Sequence, residues 1–210
     1  KILIATGGTG GHVFPAYSLA NHFSDNNYNV ELITDHRGYK FLKDFKNLKI
    51  KRITSSPLIK KNIFKIIFSI FVISYSILRS LIFLILNRPK IIFGMGGYSS
   101  FPTCIAAIIL KIEFIIYENN LILGKANKYL LPFAKKIFVS YKDLEGIAGK
   151  YNSKVCEIGN LIRKEIIDSS KKKKEKNNIK EIKILVLGGS QAAKVFAKKL
   201  PQIFKRCKDS

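Results

Sequence analysis

The stretch Lys1–Pro15, KILIATGGTGGHVFP, decides the fold. An apolar run, Lys1–Thr6, leads straight into the glycine turn Gly7–His12, and a helical pattern takes over at about Val13 and continues to Ser24. A strand that ends in glycines and opens a helix leaves backbone N–H groups bare beside the positive end of the helix dipole, a seat suited to phosphate. The unit recurs in KIIFGMGGYSS, Lys90–Ser100, with its turn at Gly94–Tyr98. Two such turns in one sheet predict a diphosphate-bearing ligand at the carboxyl ends of parallel strands.

Further strands are predicted at Asn29–Thr34, Leu48–Ile53, Phe114–Tyr117, Ile137–Val139 and Val155–Ile158, and helices at Pro102–Leu110 and Gly124–Leu131. Strands alternating with helical patterns imply an α/β fold with a parallel sheet. The strands are continuously apolar, as expected where helices cover both faces. This Rossmann-like domain is expected over residues 1–167. A Lys-rich linker, 168–181, follows, containing DSSKKKKEKNNIK. Ile182–Leu187, GGSQ at Gly188–Gln191 and a helical stretch to about Lys208 repeat the strand–turn–helix unit. Residues 182–210 therefore read as the start of a second Rossmann-like domain, incomplete within this chain.

Lys and Arg number 37 against 14 Asp and Glu, a net charge of +23. That favours anionic partners: nucleic acid, acidic lipid or phosphorylated substrates. Compositional drift toward Lys, Ile, Asn and Phe gives the same charge without a partner. Aromatic stacking motifs for RNA are not evident, so nucleic acid is not the expected partner. Cys104, Cys156 and Cys207 are far apart and without metal-ligand spacing, which reads as free thiols of a reducing compartment.

Ile66–Leu86 is 21 residues long with one charge, Arg79. Length admits a membrane span. A central arginine would cost about 2.5–3.5 kcal/mol on insertion, and a span would place the two glycine turns on opposite sides of a bilayer. The expected structure is a crossover helix or helix pair with one face on the sheet. Phe64, Ile67, Phe68 and Phe71, with Lys60, Lys61, Lys65 and Arg79, form a candidate patch for an anionic membrane surface. The competing reading packs these side chains inside the protein.

Taken in order, GGTGGHVFPA, GMGGYSSFP, YENN, GKANKYL, GNLIR and GGSQ resemble the MurG-type family of N-acetylglucosaminyltransferases. The resemblance runs from Lys1 to about Leu200. It implies the two-domain GT-B architecture and an inverting transfer from UDP-GlcNAc to the C4 hydroxyl of undecaprenyl-diphosphate-linked MurNAc-pentapeptide (lipid I), giving lipid II. It implies no cofactor and no tightly bound metal, and a peripheral place on the cytoplasmic face of the bacterial inner membrane. Consistent with this, the sequence has no Asp-x-Asp pair. His12 becomes the candidate base, with Glu118 as rival or as orienting group. Thr9, Gly10, Gly11, Asn120, Arg163 and Ser190 match positions that contact the donor. Gly94, Gly96, Gly97 and Tyr98 match the acceptor or diphosphate side. Much of the family's donor site lies in its second domain, so this chain alone is not expected to hold a full active site.

The sequence departs from the family pattern. Tyr117 replaces the His of HEQN and Asn119 its Gln; Leu161 replaces the Pro of GNPVR. Ala192 stands for a glycine of GGSQGA, and Phe101 also replaces a glycine. Two other classes stay open at this point. One is a dinucleotide-dependent oxidoreductase, in which Asp35 would hold a ribose although Val13 occupies the third glycine position of GxGxxG. The other is a non-enzymatic basic protein of membrane surfaces or nucleic acids.

Overall fold

The computed structural model describes residues 1–45, 48–54, 63–171, 185–186, 188 and 193–208. Two compact units divide the chain, Lys1–Lys171 and Lys172–Ser210.

The first unit is a seven-stranded, wholly parallel sheet: β1 (Ile2–Ala5), β2 (Val30–Thr34), β3 (Lys49–Arg52), β4 (Ile91–Gly94), β5 (Phe114–Glu118), β6 (Lys136–Val139) and β7 (Val155–Glu157). Its order is β3-β2-β1-β4-β5-β6-β7. The order reverses between β1 and β4, which pair from Ile2 opposite Ile91 to Ala5 opposite Gly94. Both glycine turns therefore leave the sheet side by side at its switch point, where open α/β sheets bind ligands.

Side chains alternate across this sheet into two cores. Leu3, Ile33, Ile92 and Ile116 point to one side, Ile4, Leu32, Phe93 and Ile115 to the other. Helix α1 (Gly10–Asp25) supplies Ala16 and Ala20 to the second core; α4 (Gly97–Ile109) supplies Ala106 and Ala107 to the first. The small residues let the helices approach the strands closely.

Both helices start earlier than their apolar pattern. In α1, Thr9 is the N-cap and its carbonyl accepts from the N–H groups of His12 and Val13. Gly10 and Gly11 carry no side chain that periodicity could register. α4 begins at Gly97 rather than Pro102; proline's preference for a first helical position misplaced that start. Helix α2 (His36–Leu42) was not anticipated. It has only seven residues, and Asp35 caps it by accepting from the Gly38 N–H at 2.8 Å. Helix α5 spans Lys125–Leu130.

Helix α6 (Lys164–Lys171) takes the first four residues of the expected linker. Glu165 in its first turn and Lys171 in its last complement the helix dipole. The first unit thus ends at Lys171 rather than at residue 167. The remaining linker, 172–181, lies outside the described residues, as do 182–184 and 187 of the predicted eighth strand; Leu185 and Val186 are not in a strand. In the second unit α7 (Ala193–Lys208) forms the expected helix.

The apolar stretch is one continuous helix, α3 (Ile63–Asn87), not a pair. It is long and apolar enough to cross a membrane by length and composition. It does not cross one here, because it joins β3 to β4, which belong to the same sheet. Its buried positions are Ser69, Ser76, Ser80 and Leu84, and it packs against α4. The serine hydroxyls are satisfied by backbone carbonyls, Ser69 to Lys65, Ser80 to Ser76 and Ser76 to Thr54. Phe64, Phe68 and Phe71 are left 76%, 67% and 70% exposed, and Ile67 59%. The packed-inside reading of this patch is therefore incorrect.

Candidate active site at the switch point

The second glycine turn is built around an imidazole. Gly96 and Gly97 have φ of +80° and +72°, a region that favours glycine. A Cβ added at either would lie 3.2 or 3.3 Å from the His12 ring. These glycines admit His12 to the sheet edge. Burial holds the His12 pKa below its ordinary value of 6.5; the Glu118 charge and a hydrogen bond to the Met95 backbone act in the opposite direction, more weakly. A neutral imidazole that donates one N–H to a carbonyl keeps its other nitrogen free to accept a proton.

Glu118 ends β5 and is buried. Its Oε1 accepts from the Asn120 backbone N–H at 3.2 Å and from Asn120 Nδ2 at 2.6 Å. Its Oε2 accepts from the Gly124 N–H at 2.9 Å and from Asn127 Nδ2 at 3.0 Å. Four donors on one carboxylate make it the anchor of the β5–α5 loop. Asn120 is thereby fixed beside His12. Both line a pocket of about 330 Å³ with Gly97, Tyr98, Glu118 and Lys125.

Gly94, placed on the ligand side by sequence, is buried at the end of β4. A Cβ there would meet the Cys104 sulfur at 2.7 Å, so this glycine serves helix–strand packing. Burial pushes the Cys104 thiol up to about 12, as suits an inert core thiol. Tyr98 stays at the surface, 43% exposed.

The first turn is held by an internal anion. Asp35 Oδ1 accepts from the Gly8 N–H at 3.0 Å as well as from Gly38. Asp35 is 4% exposed, so it anchors the turn and is not placed as a ribose clamp. Beyond Gly8, Thr9 and Gly11 remain open on the surface. The Gly11 carbonyl accepts from Asn119 Nδ2 at 2.9 Å, tying the first turn to the β5 loop.

Arg163 reaches the same edge. Its guanidinium stacks 4.5 Å from the ring of Phe14, one turn into α1, rather than on an acid. Two of the family departures explain each other. The Tyr117 hydroxyl lies 2.7 Å from Ser140 Oγ and accepts from the Leu161 N–H at 3.3 Å. A proline at 161 has no such N–H; leucine there gains a donor, and the tyrosine supplies its acceptor. The pair holds the 159–161 segment that leads into Arg163. Ser190 lies outside the described residues, as do Ala192, Lys60 and Lys61.

Sequence reasoning missed Asn119 as a brace, Asn127 as a partner of Glu118, and Lys125. The GKANKYL stretch was visible, but its proximity to Glu118 depends on the β5–α5 loop folding back. Among the described residues no three His, Cys, Asp or Glu side chains come together as a metal site.

Fold and site define a class: a doubly wound α/β domain whose two glycine turns and one histidine meet at the switch point of its sheet. Comparison with known proteins gives the family. Residues 2–139 match the glycosyltransferase family 28 N-terminal domain, and the chain belongs to that family. It is 37% identical over 93% of its length to a UDP-N-acetylglucosamine–N-acetylmuramyl-(pentapeptide) pyrophosphoryl-undecaprenol N-acetylglucosamine transferase of Pelagibacter ubique, covering 53% of that relative. A protein of the same name from Rickettsia felis is 36% identical over 96% of this chain and 56% of the relative. The chain thus spans about half the length of the curated relatives it matches. The crystal structure of Acinetobacter baumannii MurG superposes with a TM-score of 0.70 at 25% identity, over 98% of this chain and 57% of that one. A UDP-GlcNAc 2-epimerase from Methanocaldococcus jannaschii, 14% identical with a TM-score of 0.54 over 76% of this chain and 45% of that one, shares the fold alone.

Proposed function

We propose that this chain is the acceptor-side half of an inverting, metal-independent transferase that moves GlcNAc from UDP-GlcNAc to the C4 hydroxyl of lipid I. The observation that carries the reading is the His12 imidazole, half-buried against the Gly96–Gly97 turn at the switch point, where desolvation lowers its pKa below 6.5. In the reaction, His12 takes the proton of the C4 hydroxyl as its oxygen attacks C1 of GlcNAc. The C1–O bond to UDP breaks on the opposite face, and UDP leaves with the bonding pair. Such general base assistance contributes about 10²–10⁴-fold. Thr9, Gly10 and Gly11 at the α1 N-terminus, Asn120, Arg163 and Ser190 contact the donor. Gly96, Gly97 and Tyr98 line the acceptor side.

The exposed apolar side chains of α3 and the adjacent Lys65 support a peripheral seat on an anionic membrane, where a lipid-linked acceptor resides. In the cell this is the cytoplasmic face of the inner membrane. The test is the anomeric configuration of the product made by the full-length protein with excess chelator present. A β-linked disaccharide formed at an undiminished rate is expected. An α-linkage, or loss of turnover on chelation, contradicts the mechanism.

A further inference from the structure

A second cavity lies beside the switch-point site rather than within it. It is an open cleft of about 720 Å³ at the carboxyl ends of β2 and β3, lined among others by Arg37, Lys51, Arg52 and Arg79. Three separate elements, α2, β3 and α3, bring these four cations around one concavity. Arg79 had read as part of the membrane patch; the fold turns it into this cleft. Among the described residues the only carboxylate lining it is Asp35, which is already committed to the Gly8 and Gly38 N–H groups. The salt bridges of the described residues give Arg37 that same Asp35 and give Lys51, Arg52 and Arg79 none.

Arg52 and the strand end beside it are also held in place. Arg52 stacks 4.7 Å from the ring of Tyr39, and the Ser76 hydroxyl bonds the Thr54 carbonyl at 2.5 Å, pinning the end of β3 to the helix that carries Arg79. Gathering like charges costs free energy that a bound anion offsets. Guanidinium forks suit phosphate oxygens because each offers parallel N–H donors. At the glycine turns, by contrast, Asp35 takes the Gly8 N–H and the His12 ring lies against Gly96 and Gly97. The cleft abuts the first turn, with Arg37 Nη2 3.6 Å from where a Gly8 Cβ would stand.

We propose that this cleft is the binding site for the diphosphate of a lipid-linked substrate. Arg79 sets the location, because the helix that brings it there also carries the exposed apolar face. A diphosphate in the cleft has its lipid chain next to that face and its sugar directed along the sheet edge toward His12. The proposal rests on the acceptor-side reading given above. Phospholipid headgroups present similar phosphate chemistry, and the experiment separates the two sources.

Full-length protein is titrated with farnesyl diphosphate below its micelle concentration, by calorimetry, for wild type, Arg52→Gln, Arg79→Gln and the double variant. Each arginine is expected to weaken binding about tenfold, and farnesol should not bind. Lys135→Gln, an exposed cation just before β6 and away from the cleft, should leave the affinity unchanged. These are exposed side chains, and unchanged thermal melts will show that the variants fold. Unchanged affinity in the double variant overturns the proposal. So does binding to phosphatidylglycerol vesicles that depends on the arginines while free farnesyl diphosphate does not bind. GlcNAc transfer measured on the same wild-type preparation reads the functional assignment separately. Active enzyme whose double variant keeps the wild-type KM for the lipid acceptor sinks only the cleft; inactive wild type sinks the transferase reading itself.

Discussion

His12 lies within the first turn of α1 because Gly10 and Gly11 start the helix before its apolar pattern does. That placement presses the ring onto Gly96 and Gly97 and half-buries it. Since burial lowers the folded pKa below 6.5, the acid limb of kcat/KM is expected below pH 6.5. Linkage has the same sign. His12 contributes stability that is present above pH 6.5 and lost as pH falls through the lower folded value. His12→Ala should reduce kcat by about 10²–10⁴ while UDP-GlcNAc affinity stays within about twofold. Wild-type turnover in that variant removes the base role. Tyr117 offers a second test at this scale. Tyr117→Phe leaves the Leu161 N–H without its acceptor and should cost about 1 kcal/mol in urea denaturation. Adding Leu161→Pro removes the orphaned donor, so the double variant should recover part of that loss; simple additivity would show the pair to be uncoupled. The motif letters marked both positions as departures. Their compensation was not legible, because it depends on β5 reaching the segment after β7 across β6.

At the scale of the element, α3 inverts the usual arrangement, with Ser69, Ser76 and Ser80 buried and Phe64, Phe68 and Phe71 exposed. Its composition was plain in the sequence, but which face is buried was not, since nearly every position is apolar. Three of its four serines were the available signal: spaced at 69, 76 and 80, they fall on one side of a helix, while Ser74 is exposed. If the outer face meets a membrane, Phe68→Ser with Phe71→Ser should weaken co-sedimentation with anionic vesicles at least tenfold. Activity on a short-chain soluble acceptor should change less than twofold. Equal vesicle binding by variant and wild type would exclude this face from the contact. The strands were legible because continuous apolar runs ending in glycine or polar turns have few other uses in an α/β chain. Helix α2 was not, since seven residues with Gly38 in their midst show no helical period. Helix α6 was hidden by the lysine run that follows it.

For the molecule as a whole, the order of two glycine turns predicted a diphosphate ligand at a parallel-sheet edge. The sheet edge is as expected, with β1 and β4 adjacent. The turns themselves are occupied differently: an aspartate braces one and an imidazole rests on the other. Backbone glycines in a sequence show that something approaches closely, not whether it is a ligand or a neighbouring side chain. The charge of +23 was equally ambiguous until the fold gathered four of those cations in one cleft. The central claim is that this family 28 chain is the acceptor-side half of a GlcNAc transferase. The most direct test supplies the full-length protein with radiolabelled UDP-GlcNAc and lipid I in detergent and follows label into the lipid fraction. The account predicts acceptor-dependent label in a lipid-linked disaccharide, with one UDP released per transfer. UDP-GlcNAc consumed at the same rate without acceptor, and no label in lipid, would contradict it.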